Sequence, residues 1–136
     1  MSSIMQRAVT ALALALALAA SGVQAQAQDG KTLFAKNCAA CHQATGLGIP
    51  GAFPALKGNV FAQGDPAIVI GTVLKGRAGM PAFAASLDDE KLATIITYVR
   101  SAWGTKATAV THADVATVRS TASIAPVMHD KGTIIH

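Results

Sequence analysis

The residue pattern specifies an all-α chain in which three main helices are joined by long glycine-rich loops. Three signals carry this. Leu92, Ile95, Ile96, Val99 and Trp103 recur at i, i+3, i+4, i+7 and i+11, the spacing of one helix face. Asp65-Pro66 supplies a cap and a first-turn proline ahead of the apolar run Ile68 to Leu74, and Gly76 is a stop. Asp29 stands as a cap before Leu33, Phe34 and Cys38, which share a side at helical spacing.

Each element can be justified along the chain. The first 25 residues read as a secretory leader: Arg7 is the only charge ahead of the Ala/Leu run from Ala8 to Ala20, and Val23-Gln24-Ala25 offers small residues where a signal peptidase reads. Ala25-Gln26-Ala27 fits as a second cleavage site. A spanning helix needs roughly 20 apolar residues, and this run is shorter and carries a Ser-Gly pair, so no membrane span is expected after cleavage. Export with one short domain behind it points to the periplasm. Between the first and second helices, from Gln43 to Gly64, the pattern breaks into loop, with Gly46, Gly48, Pro50, Gly51, Pro54 and Gly58 as turn residues. Ser86-Leu87-Asp88-Asp89 reads as the capping box of the last main helix.

At 136 residues the chain allows one domain of ordinary size and excludes a large enzyme. Losing Arg7 with the leader leaves 10 of the 11 basic side chains against 7 acidic ones. That excess is mild and unclustered, which suits an acidic docking partner and not nucleic acid.

The two cysteines fall in Cys38-Ala39-Ala40-Cys41-His42. Two thiols a helical turn apart can add to the two vinyl groups of a haem, and the adjacent imidazole can bind its iron. A redox disulfide would expect a preceding strand and a βαβ setting, and a zinc or iron–sulfur site normally takes four ligands. Neither context is present, so covalent haem c attachment through Cys38 and Cys41 is the reading.

With these residues in place the sequence resembles the class I monohaem c-type cytochromes of the bacterial periplasm, over about Asp29 to Trp103. The resemblance implies a small all-helical fold around one covalently bound haem, with His and Met as axial ligands and electron transfer as the task. His42 matches the first ligand. Met80, in Gly79-Met80-Pro81-Ala82-Phe83, matches the family's second, with Met128 as the competing thioether and His112, His129 and His136 as candidates for a second imidazole. A lone Met is ordinarily an adaptable core filler. Pro54 resembles the family proline whose carbonyl takes the proton of the ligating histidine, and Pro50 competes for that part. Gly30, Phe34 and Tyr98 resemble the crossing of the family's first and last helices. Trp103 and Tyr98 are candidate partners for a haem propionate.

The expected function is therefore one-electron transfer without catalysis, with redox protein partners: a periplasmic dehydrogenase as donor, and an oxidase or another cytochrome as acceptor. The alternative is a haem c electron-accepting subunit of a periplasmic dehydrogenase. A gas-binding or peroxidatic haem protein would require Met80 to be off the iron. Lys36, Lys57, Lys75 and Arg77 flank the haem-contacting segments and are candidates for a positive rim. The domain is expected over residues 26–104. Residues 105–136 form a partly ordered extension with one short helix signal at Thr111-His112-Ala113-Asp114, similar to extensions on cytochromes that serve periplasmic dehydrogenases, and are expected to dock a larger partner.

Overall fold

The computed structural model describes residues 29–130, with side chains described through residue 122. The segment expected to be a leader, with its two expected cleavage sites, and His136 lie outside the described residues, as do the side chains of Met128 and His129. Among the described residues the chain is helical, with only two isolated bridges, Ile49 with Phe53 and Arg77 with Met80. No helix among them is long and apolar enough to cross a membrane.

Helix α1 runs Gly30–Asn37 and α2 runs Ala39–His42. Asp29 caps α1 by accepting from the Thr32 amide at 2.8 Å, and Leu33 and Phe34 are its buried residues. The chain pauses at Cys38 (φ −125°) and resumes as α2, so the two cysteines and His42 sit on a separate turn at the foot of α1.

One helix appears where the glycines and prolines of 43–64 imply only loop. It is α3, Val60–Gln63, and its cause is Asn59, whose side-chain oxygen accepts from the amides of Phe61 and Ala62. Helix α4, Pro66–Lys75, begins and ends as its residues dictate, on the Asp65 cap and on Gly76. It buries Val69, Ile70 and Leu74 but leaves Ile68 exposed, so its apolar run is less buried than its composition suggests.

Helix α5, Asp89–Ser101, departs from the pattern at both ends. Its cap is Asp88, which accepts from the Lys91 amide at 2.8 Å and pairs with the Lys91 ammonium at 2.7 Å; Ser86 bonds back to the Phe83 carbonyl instead. Leu87 and Leu92, either side of that cap, are both buried in the core, the arrangement of a hydrophobic staple. The helix stops at Ser101. Trp103 follows in a 3-10 turn, Ala102–Gly104, with φ +56° and ψ +29°, and so leaves the helical register that its spacing suggested.

The extension contains far more helix than its short signal promised. Helix α6 spans His112–Asp130. Thr111 and Asp114 cap it reciprocally: the Thr111 amide donates to the Asp114 carboxylate at 2.8 Å, and the Asp114 amide donates to the Thr111 hydroxyl at 3.2 Å. Helix α6 packs on α4 and α5, with Val115 fully buried and Val118 against Gly71 of α4. Through residue 119 this extension thus docks on its own domain.

The core is organised by α1 crossing α5. A Cβ on Gly30 would lie 2.5 Å from Tyr98 Cβ and 2.8 Å from the Thr94 carbonyl oxygen, so only glycine permits this approach. Phe34, Tyr98 and Trp103 form a mutual cluster with ring centroids 5.5 to 5.7 Å apart.

Two outcomes follow from these contacts. Gly30→Ala gains up to about 1 kcal/mol of helix propensity. It collides with atoms that cannot rotate away, so a net loss of about 1–3 kcal/mol is expected in denaturant unfolding. The carboxyls of Asp29, Asp88 and Asp114 are held below their ordinary 3.8, chiefly by the Thr32 amide, the Lys91 side chain and the Thr111 amide respectively. Their contribution is complete above pH 3.8 and fades as pH falls through the lower folded values. In Asp88→Asn, which keeps an acceptor but does not titrate, the acid limb of a circular-dichroism titration should be shallower.

Candidate functional site

The local chain direction makes the Cys38–His42 turn. The amides of Cys41 and His42 both donate to the Cys38 carbonyl, at 3.2 and 2.9 Å, which closes α2 and sets the three side chains on one turn. Cys38 and Cys41 are half-buried free thiols. Burial, with the neighbouring Cys41 adding to it, pushes the Cys38 thiol up to about 11, so without a bond to carbon it stays protonated at neutral pH.

His42 is buried, and its Nδ1 lies 2.9 Å from the Pro54 carbonyl oxygen. A carbonyl only accepts, so Nδ1 carries the proton and donates, which leaves the lone pair of Nε2 for a metal. Pro50, the competing proline, lies exposed in the turn between Ile49 and Phe53 and makes no such contact with His42 among the described bonds.

The loop that carries Pro54 holds its shape by hydrogen bonds and close glycine contacts. The Gly48 amide donates to the His42 carbonyl at 2.9 Å, and the Gly46 carbonyl accepts from Leu56 and Lys57 at 2.8 and 2.9 Å. Gly48 has φ +63°, and a Cβ there would strike the Phe53 carbonyl oxygen and sit 2.6 Å from the Pro54 carbonyl oxygen.

Met80 is half-buried in a tight turn after α4, where its amide donates to the Arg77 carbonyl at 2.9 Å and its carbonyl accepts from the Arg77 amide at 3.2 Å. Gly76 makes that turn possible: at φ +74°, a Cβ on it would lie 2.5 Å from the Met80 carbonyl oxygen. Gly79 faces open space.

These surroundings fit a haem. Leu47, Ile49, Phe53, Val60 and Phe61 are exposed, Val60 by 87%, between the His42 turn and the Met80 turn in sequence. Such exposure marks an apolar surface that belongs against something. Both amide atoms of Gln63, in α3 of the same segment, are buried with no hydrogen-bond partner among the described residues. No cluster of three or more His, Cys, Asp or Glu that could hold a metal ion occurs among the described residues.

An all-α domain that sets Cys38, Cys41 and His42 on one turn, with the Nε2 of a carbonyl-oriented His42 left free to bind, has the features of a c-type cytochrome domain. Residues 25–99, more than half of the chain, match the family described as cytochrome c oxidase, cbb3-type, subunit III, and the chain belongs to that family. It is 40% identical over 90 residues to the cbb3-type cytochrome c oxidase subunit CcoP of Azospirillum brasilense, covering 60% of this chain and 30% of that protein. It is 32% identical over 105 residues to the cytochrome c subunit of the quinone alcohol dehydrogenase of Gluconacetobacter polyoxogenes, covering 68% of this chain and 22% of that one. Cytochrome c-552 of Thermus thermophilus is 37% identical over 92 residues, 56% of this chain and 69% of that protein. The chain thus spans less than a third of the oxidase and dehydrogenase subunits it matches, and most of the small cytochrome. Membership brings the family's covalently bound haem c, whose attachment motif Cys38 and Cys41 fit, and with it electron transfer as the class of function.

Several contacts that shape the site have no motif. The Trp103 indole N–H donates to the Ala44 carbonyl at 3.3 Å and its ring closes on Gly46, latching the end of α5 to the loop beside His42. Arg100, 2% exposed, donates to the carbonyls of Ala62, Gly64 and Thr108 at 3.0, 2.8 and 2.7 Å, tying α3 and the start of the extension to α5. The available signal was a cation at a position adjoining the buried stripe of α5.

The Gly48 contact generates a test. Gly48→Ala should displace the Pro54 carbonyl from His42 and lower the haem bound per polypeptide several-fold in a pyridine haemochrome assay; full loading would show that this carbonyl does not govern the site.

Proposed function

We propose that the chain is an exported, periplasmic one-electron carrier in which His42 Nε2 and the Met80 sulfur are the axial ligands of haem c. The single observation that carries the first ligand is the 2.9 Å bond from His42 Nδ1 to the Pro54 carbonyl, which fixes the tautomer and orients the ring. The turn built by Gly76 and Arg77 supports the second, because it presents one thioether on a short, hydrogen-bonded loop. Bound haem supplies a one-electron iron couple. With Met80 as well as His42 holding the iron, the thioether would favour the ferrous state relative to a second imidazole.

In this reading residues 1–25 are the leader, 26–104 the cytochrome domain and 105–136 its extension. Lys36, Lys57, Lys75 and Arg77 are exposed, and the Arg77 guanidinium lies 5.4 Å from the centre of the Phe61 ring. They steer an acidic redox protein toward the apolar edge of the site: a periplasmic dehydrogenase as donor, an oxidase or another cytochrome as acceptor. A second reading, a haem c subunit that accepts electrons within a dehydrogenase complex, is supported by the likeness to the alcohol dehydrogenase cytochrome subunit.

Three measurements test this. Met80→Ala should abolish the methionine–iron(III) charge-transfer band and let the reduced protein bind carbon monoxide; a surviving band assigns the sixth ligand elsewhere. Electron exchange with an acidic partner should slow as salt shortens the Debye length from about 30 Å at 0.01 M to about 8 Å at 0.15 M, and a flat profile removes the steering role. The untagged protein taken from its native periplasm should run as a monomer with its haem absorbance, whereas a stoichiometric dehydrogenase beside it would establish the second reading.

A further inference from the structure

We infer that Arg119, in the carboxy-terminal extension, is a positioning residue for the loop that presents Met80, so that the extension acts as an internal strap on the sixth ligand. This rests on the assignment of Met80 to the iron. The loop after Met80 runs back along α4, where the amides of Phe83 and Ala84 donate to the Val73 and Leu74 carbonyls at 3.1 and 3.2 Å. It then turns through residues 83–87, closed by the Leu87 amide on the Phe83 carbonyl at 3.0 Å, and enters α5 at Asp89.

A single guanidinium bridges the far end of this loop. Arg119 donates through Nη1 to the Ala84 carbonyl at 2.6 Å, through Nη2 to the Leu87 carbonyl at 2.8 Å, and through Nε to the Asp89 carboxylate at 2.7 Å. The pair with Asp89 is only about one-third exposed on either side. Arginine's planar fork spans all three acceptors, which a lysine ammonium cannot do in one geometry. The anchor itself is firm: α6 starts on the Thr111–Asp114 box and inserts Val115, fully buried, one turn before Arg119. Residues 80–84 are thus held by Gly76 and Arg77 at one end and by Arg119 at the other. Release of the Met80 sulfur requires this segment to open locally, and the three Arg119 bonds oppose that opening.

The experiment uses the full-length haem-loaded protein, Arg119→Gln, Arg119→Lys and a core control, Ile96→Val. The readouts are the methionine–iron(III) charge-transfer band, the rate at which imidazole displaces the methionine from the ferric protein, and the global unfolding midpoint. The expected result is a band in every variant, with imidazole exchange about tenfold faster in Arg119→Gln and less so in Arg119→Lys. Ile96→Val should lower the midpoint with its exchange rate near that of the parent. Unchanged exchange in Arg119→Gln, or equal acceleration in Ile96→Val, overturns the strap while leaving Met80 as ligand. Absence of the band from the parent overturns both.

Discussion

The close crossing of α1 and α5 is the constraint from which the rest of the structure follows. Gly30 admits Tyr98 and the Thr94 carbonyl to contact, and that approach brings Phe34, Tyr98 and Trp103 into one aromatic cluster. Because Cys38 lies directly after α1, the crossing also fixes where the attachment turn begins. Because Trp103 lies just past α5, it fixes where the indole meets Ala44 and Gly46. One helix pair therefore locates the start of the loop that orients His42.

A small domain with three main helices and long loops has few ways to satisfy loop backbone groups, and this chain does so through neighbouring helices and side chains. The Pro54 carbonyl is met by His42, the Ala62 and Gly64 carbonyls by Arg100, and the Ala84 and Leu87 carbonyls by Arg119. The first of these bonds orients His42 directly, and the others tie the segments around Ala62 to Gly64 and Ala84 to Leu87 to the helices. That economy suits electron transfer, in which a rigid surrounding changes little between the two charge states of the iron. The apolar side chains left exposed in the 47–61 segment are the complement of this pattern, a surface that the described residues leave uncovered.

The extension changes the picture of the domain. Helix α6 lies on α4 and α5, so one of its faces is committed within the molecule, and Arg119 links it to the segment after Met80. Arg100 adds a second tie through the Thr108 carbonyl. The extension is continuous with the cradle in packing and in hydrogen bonding alike.

The sequence by itself determined the elements whose signals are local. The Asp29 and Asp65 caps, Pro66, the Gly76 stop and the apolar stripe of α5 from Leu92 to Val99 each report on a few neighbouring residues, and each bounds or lies in a helix found. The attachment turn was equally legible, because Cys-x-x-Cys-His spacing encodes its chemistry within five residues. The resemblance drew attention to Pro54, whose carbonyl does meet His42. Other features depended on partners far away in sequence. The spacing of Trp103 fits the helix, but the residue takes a left-handed conformation in which its indole meets Ala44 and Gly46 across the fold. Asn59 starts a helical turn in what reads as loop, and Asp88 takes the cap from Ser86 because a carboxylate can hold both the Lys91 amide and its ammonium. The tail showed only a short cap signal, since Val115 and Val118 are too few to announce a long helix until α4 and α5 offer them a surface. Periodicity, caps and ligand spacing are short-range properties of the chain; which carbonyl an arginine meets 32 to 38 residues away is decided only when the helices have packed.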